Sequence, residues 1–179
     1  MNIYPNAYLE KVQDISIEFL MKNNIKALIL DVDNTLIDYY KNLSDEVIQW
    51  ASEMKGQGVK LYILSNTNKK DKVEMVAKKL EIPFKSFAKK PSTKGFKRIQ
   101  NEIDIPPENI GVVGDQIFTD VIGGNRSNMF TILVNPVTSK DYWYTAWKRP
   151  IENLVKQKIK NNKDKWEILF QNIINGRID

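Results

Sequence analysis

Apolar residues along this chain follow two rhythms. Apolar-rich runs, the unbroken ALIL at 27–30 and then VKLYIL at 59–64, IGVV at 110–113 and MFTILV at 129–134, alternate with stretches where apolar positions recur every three or four residues. The runs read as strands buried on both faces and the spaced stretches as helices with one face on a core. Strands are expected at 27–30, 59–64, 83–88, 109–113 and 129–134. The helix at 43–55 opens at Ser44, an N-cap candidate followed by Asp45 and Glu46, and carries Val47, Trp50, Ala51 and Met54 at helical spacing. Further helices are expected at 69–80 (Val73, Val76, Ala77, Leu80), at 93–102 (Phe96, Ile99) and, briefly, at 119–125. Residues 8–24 space Leu9, Val12, Ile15, Ile17, Phe19 and Leu20 irregularly, which reads as a short helix or irregular arm ending at Asn23 and Asn24. Strands alternating with helices predict an α/β fold with a mainly parallel, five-stranded central sheet and right-handed crossovers.

The last forty residues differ. Leu154, Val155, Ile159, Trp166, Leu169, Phe170 and Ile173 fall in one arc of a helix over 151–174, with Lys156, Lys158, Lys160, Lys163 and Lys165 between them. The net charge is +5 over 179 residues, and residues 140–179 hold 9 Lys/Arg against 5 Asp/Glu, compared with 18 against 17 before them. The expected organisation is one domain over 1–139, arm included, with 140–179 as its basic helical extension. That extension either covers the core or lies as a basic amphipathic helix on an anionic surface. Tyr142, Trp143, Tyr144 and Trp147 precede Lys148 and Arg149. Such aromatics favour the headgroup level of a bilayer, and pack as readily on a sheet edge.

Composition narrows the chemistry. With no cysteine and no histidine, disulfides, thiolate nucleophiles, Cys/His zinc sites and His-based triads are excluded. Catalysis must use carboxylates, hydroxyls, amines and a hard, oxygen-liking metal. No basic-then-apolar leader opens the sequence, and no apolar run nears the roughly 18 residues that span a bilayer. The expected place is the cytoplasm, with peripheral contact at the membrane's inner face.

Four strand ends carry the polar residues that phosphate chemistry needs: Asp31 and Asp33 after the first, Ser65 and Asn66 after the second, Lys90 after the third, and Asp115 then Asp120 after the fourth. In a parallel sheet they meet at one edge, where ligands of open α/β sheets bind. Asp31 is the natural nucleophile on phosphorus. Asp33 is placed to protonate the leaving alkoxide and then deprotonate water. Mg²⁺ would neutralise the anionic phosphate, held by Asp31 and Asp115 with the Asp33 backbone carbonyl, Asp120 acting through water or orienting Lys90. Ser65 would donate to the phosphoryl oxygens and Lys90 would counter the transition-state charge. Asn34, Thr35 and Asn66 are the candidates for contacting substrate. Taken singly, each residue has an ordinary alternative: Ser65 and Asn66 as a strand-end turn, Lys90 as surface charge, Asp115 and Asp120 as helix caps. Order and spacing together favour chemistry, and Gly114 after IGVV permits a sharp turn that presents Asp115.

As a set, DVDNT (31–35), SN (65–66), KP (90–91) and GDQIFTD (114–120) resemble the four ordered motifs of the haloacid-dehalogenase-like (HAD) phosphatases. The resemblance spans about residues 25–135 and implies a Rossmann-like three-layer sandwich, Mg²⁺ and an aspartyl-phosphate intermediate. The run GDQIFTDVIGGNR (114–126), with the arm before the first strand, is similar to the YqeG-like subgroup of class IIIA, related to phosphatidylglycerophosphate phosphatases. Only 29 residues separate Thr35 from Ser65, and 23 separate Asn66 from Lys90. One helix and one strand use up each gap, which leaves no room for the separate cap domain that small-molecule members carry. An uncapped site favours a phosphate on something large, a lipid headgroup above all. The rival readings are a phosphatase for soluble sugar phosphates or nucleotides, and a non-catalytic RNA- or ribosome-bound scaffold. No aromatic-and-basic RNA module supports the last.

Overall fold

In the computed structural model, which describes residues 2–138 and Gln157, the chain runs through β1 (Ala7–Leu9), α1 (Ile17–Lys22), β2 (Ala27–Leu30), α2 (Asp45–Gly56), β3 (Lys60–Leu64), α3 (Lys70–Leu80), β4 (Phe84–Lys85), α4 (Thr93–Ile103), β5 (Ile110–Gly114), α5 (Ile122–Arg126) and β6 (Phe130–Val134). The sheet order is β1-β6-β5-β2-β3-β4, with every pairing parallel. From β2 the chain moves outward to β3 and β4, then returns to β5 on the other side. The topological switch point therefore lies between β2 and β5, where open sheets of this kind form their crevice. Leu30 is level with both Ile63 and Val113, so Asp31, Ser65 and Asp115 emerge at nearly the same height.

Strand alternation builds three layers. Leu28, Leu30, Leu61, Ile63, Val113 and Ile132 face α2 and α3 through Val47, Trp50, Met54, Val73, Val76 and Leu80. Ala27, Ile29, Tyr62, Leu64, Ile110 and Val112 face the other way, onto Phe96 and Ile99 of α4. Local chemistry sets the boundaries. The Ser44 hydroxyl accepts from the Val47 N–H at 3.3 Å and starts α2. Gly123 of α5 lies so close to α4 that a Cβ there would sit 2.5 Å from Phe96 Cε2.

The sheet has six strands rather than the five expected, because the arm contributes β1. Its three residues pair with β6 at the sheet edge, Ala7 level with Ile132 and Leu9 with Val134. Asn6 anchors the pairing: its N–H donates to the Thr131 carbonyl at 2.9 Å, and its Oδ1 accepts from the Thr131 N–H at 2.8 Å and hydroxyl at 3.0 Å. So short a strand is specified by its partner, not by a pattern of its own. The helix in the arm is α1, and the arm is core: Val12, Ile15 and Leu20 are buried, and the Trp50 indole N–H donates to the Ile15 carbonyl at 2.9 Å. The strand expected at 83–88 is only Phe84–Lys85, since the backbone turns away at Phe87, which has a φ of 53°. In place of one helix at 119–125 there is a π-helical turn, Ile117–Val121, running into α5. Apart from Gln157, the helix expected at 151–174 lies outside the described residues, as do the aromatics 142–144 and 147 and the basic residues of 140–179.

Candidate active site

Three consecutive backbone devices aim the first motif. The Asp31 N–H donates to the Val113 carbonyl at 2.9 Å, extending the β2–β5 ladder by one residue. The Val32 carbonyl then accepts from the N–H groups of Thr35, Leu36 and Ile37, closing a turn whose left-handed position is Asn34, with a φ of 59°. Asparagine tolerates that conformation better than most residues. The Asp33 carboxylate pairs with the Lys72 ammonium group from the first turn of α3. Asn34 and Thr35 are buried behind the turn. The Asn34 side chain accepts from the Thr138 hydroxyl at 2.9 Å, and the Thr35 hydroxyl is enclosed without a hydrogen-bond partner.

Lys90 is the hub. Its Nζ donates to Asp31 Oδ1 and Asp120 Oδ1, each at 2.6 Å, and to the Leu64 carbonyl at 2.8 Å, which uses all three ammonium protons. Its main chain is clamped by Asn66, whose Oδ1 accepts from the Lys90 N–H at 2.6 Å and whose Nδ2 donates to the Lys90 carbonyl at 3.0 Å. Asn66 therefore positions Lys90. Ser65, buried at the end of β3, accepts from the Thr67 N–H at 3.2 Å through its hydroxyl. Asp120 reaches the cluster because the π-helical turn rotates it inward. Its Oδ2 accepts from the Gln116 N–H and the Thr119 hydroxyl, both at 3.2 Å. Gly114 serves this approach rather than the sharp turn expected of it. It is a regular β5 residue, and a Cβ there would lie 2.2 Å from the Asp120 Cγ.

Asp31, Asp115 and Asp120 thus each offer an oxygen within 4.8 Å of the others, all three buried. The mitochondrial PGP phosphatase family matches this chain over residues 1–138. A Bacillus subtilis (strain 168) protein named "Probable phosphatase YqeG" is 37% identical over 165 residues, which covers 91% of this chain and 95% of that one. This chain belongs to the PGP phosphatase family. It is a HAD-type phosphatase of the YqeG-like kind. The fold agrees with solved structures of the superfamily. A HAD-superfamily hydrolase from Ehrlichia chaffeensis aligns with a TM-score of 0.53 at 18% identity, over 75% of this chain and 98% of that one. The cobalt-bound deoxy-D-mannose-octulosonate 8-phosphate phosphatase of Haemophilus influenzae aligns with the same TM-score at 16% identity, over 63% of this chain and 70% of that one.

The donor set of this phosphatase fits a hard dication. Three carboxylates and one ammonium group share a buried space, so the cluster is over-supplied with negative charge. Burial above all, opposed by Lys90 and aided by the Asp120 and Asp33 charges, leaves the Asp31 carboxyl pushed up to about 7. Burial alone would lower Lys90, but Asp120 and Asp31 outweigh it and hold the ammonium group above the usual lysine range. All-oxygen donors of this charge suit Mg²⁺ or a close relative. The Asp33 side chain, engaged by Lys72, is not one of the three clustered carboxylates. Lys72 is the residue that sequence reasoning missed. It is one of three lysines within 69–72, and only the rotation of α3 distinguishes it from the others.

Proposed function

We propose that this phosphatase uses Mg²⁺ and an aspartyl-phosphate on Asp31 to remove the terminal phosphate of phosphatidylglycerophosphate, leaving phosphatidylglycerol. The observation that carries the reading is the buried Asp31–Lys90–Asp120 hub beside Asp115 at the open carboxyl edge. The substrate is supported by the family match and by the uninterrupted run from β2 through α4, which inserts no cap over that edge. No helix among the described residues is long and apolar enough to cross a membrane.

Asp31, Asp115 and Asp120 would hold the ion, which when bound neutralises phosphate charge and eases the approach of a carboxylate. Lys90 locks the Asp31 carboxylate through Oδ1 and leaves Oδ2 to attack phosphorus. The new P–O bond forms as the bond to the glycerol oxygen breaks, and Asp33 supplies the proton that oxygen takes. Asp33 then accepts a proton from the water that attacks phosphorus, the acyl-phosphate P–O bond breaks, and Asp31 is restored as inorganic phosphate leaves. An incoming phosphate would compete with Asp33 for Lys72, and the Asp33 carboxylate so released takes a proton from solvent and then passes it to the leaving oxygen.

The test compares phosphatidylglycerophosphate in detergent micelles with glycerol 3-phosphate and nucleoside monophosphates, in Mg²⁺ and in chelator. A higher kcat/KM for the lipid is expected, with no turnover in chelator. Preference for a soluble ester overturns the substrate, and full activity in chelator overturns the metal. Asp31→Asn should fall below about one hundredth of parent activity while keeping its fold by circular dichroism.

A further inference from the structure

The edge that carries the chemistry also displays large apolar side chains. Tyr40 is 62% exposed, Phe87 58% and Val137 53%. They stand on the loops after β2, β4 and β6, all at the carboxyl edge of one parallel sheet. These loops are tied to the site. The Val137 N–H donates to the Asn34 carbonyl at 2.9 Å, and the Phe87 N–H, three residues before Lys90, to the Thr67 carbonyl at 3.3 Å. Tyr40 tops a tight loop in which the Asn42 N–H donates to Asp38 Oδ1 at 2.8 Å.

Single exposed apolar residues are ordinary, but two features here run against local stability. Phe87 has a φ of 53°, a region that suits glycine or asparagine and is rare for a bulky residue. Lys69 and Lys70 stand at the N-terminus of α3, where the helix dipole favours acids. Residues that break local rules concentrate at functional surfaces. Lys41, Lys69, Lys70 and Lys89 are exposed around the apolar tips. The acids on these loops are Asp31 and Asp33, engaged by Lys90 and Lys72, and Asp38, bonded by Asn42, while the helix starts that follow add the exposed Asp45, Glu46 and Asp71.

We infer that this carboxyl-edge rim docks on an anionic lipid bilayer, setting Tyr40, Phe87 and Val137 among the headgroups and Lys41, Lys69, Lys70 and Lys89 against their negative charge. The inference rests on the lipid reading of the substrate and adds the surface that brings the site to it. Apolar tips inside a lysine fringe match a surface that is anionic above and hydrocarbon below. Single-stranded RNA would call for a groove of stacking rings, and Val137 offers no ring.

The test uses the full chain and vesicles of phosphatidylcholine with or without phosphatidylglycerol, at low and high ionic strength. One variant combines Tyr40→Ser with Phe87→Asn, the latter suited to the backbone it inherits. The other combines Lys69→Glu with Lys70→Glu, suited to a helix N-terminus. Each should lose at least about tenfold in affinity for phosphatidylglycerol vesicles, and the lysine variant should also lose salt dependence. Turnover of glycerol 3-phosphate should stay within about twofold of the parent. Unchanged vesicle binding in both variants overturns the inference. So does a parallel loss of glycerol 3-phosphate turnover, or a loss of self-association or RNA-oligonucleotide binding in place of vesicle binding. A parent that docks through this rim yet hydrolyses no lipid phosphate refutes the substrate and leaves the docking surface. A parent that hydrolyses the lipid while both variants bind vesicles normally refutes the docking surface alone.

Discussion

Lys90 sits where three carboxylates converge, and the balance of charge governs what single substitutions do there. Lys90→Met would keep most of the volume and remove the compensating charge. Uncompensated buried charge costs about 3–5 kcal/mol, so a loss of that size is expected in chelator. A bound divalent cation should recover much of it; thermal unfolding in chelator and in Mg²⁺ measures both, and an equal loss in the two would mean the lysine acts by packing alone. The pH dependence has a definite sign. The folded Asp31 carboxyl holds its proton to about 7, against 3.8 for an ordinary aspartate. Between those values the folded chain binds more protons than the unfolded one, so its cation-free stability falls as pH rises through that window. A Mg²⁺ ion bound as proposed would displace that proton, so the rise in Tm on adding Mg²⁺ should grow from pH 4 to pH 7; a flat increment would remove Asp31 from the ion's ligands. Asp31, Asp33, Lys90, Asp115 and Asp120 were legible because each follows a recognisable strand and parallel strands end at one edge. The Asn66 clamp on Lys90 and the Lys72 partner of Asp33 were not, since both depend on side-chain directions that cross between elements. Gly114 was legible as a necessary glycine for a reason that proved different: what it supplies is space for Asp120, not a turn.

At the scale of elements, β1 shows where pattern reading stops. Three residues are too few for alternation to declare itself, and parallel pairing with β6 joins positions more than a hundred residues apart. The information resides in Asn6 and Thr131. Asn6→Ala would leave the buried Thr131 N–H without its 2.8 Å acceptor, a loss of about 1–3 kcal/mol. A urea melt should show that shift, while kcat per folded molecule should hold because Asn6 lies at the amino edge, opposite the chemistry. A fall in kcat would mean that the edge strand is coupled to the site through β6. The helices were more legible. Ser44 caps α2 as expected, and the buried residues of α2, α3 and α4 are those their periodicity selects. The π-helical turn at Ile117–Val121 had no such signal, because five residues are too few for a π-helical period to be told from an α-helical one.

Across the whole molecule, alternation of strands and helices predicted a parallel α/β sheet, and the structure adds an edge strand without changing that architecture. Strand order was not legible, since which parallel strands become neighbours is decided by long-range packing. The remaining question of scale concerns residues 140–179, which carry a net charge of +4 from 9 basic and 5 acidic residues. If they serve the same membrane as the carboxyl-edge rim, each basic residue near an anionic surface contributes about 1 kcal/mol, weakening with salt. Reversing Lys156, Lys160 and Lys163 to Glu should then weaken binding to phosphatidylglycerol vesicles and flatten its salt dependence, with glycerol 3-phosphate turnover unchanged. Truncation would be a poorer test, because it would also remove the apolar positions at 154, 155 and 159, whereas charge reversal leaves them intact. Combining the reversed lysines with the Tyr40→Ser, Phe87→Asn pair decides how the two surfaces relate. Two attachments to one bilayer act as a bivalent contact, so the combined loss should exceed either alone and approach their product. A combined loss no larger than the rim variant's own would assign membrane binding to the catalytic edge by itself, and leave the basic extension to some other anionic partner.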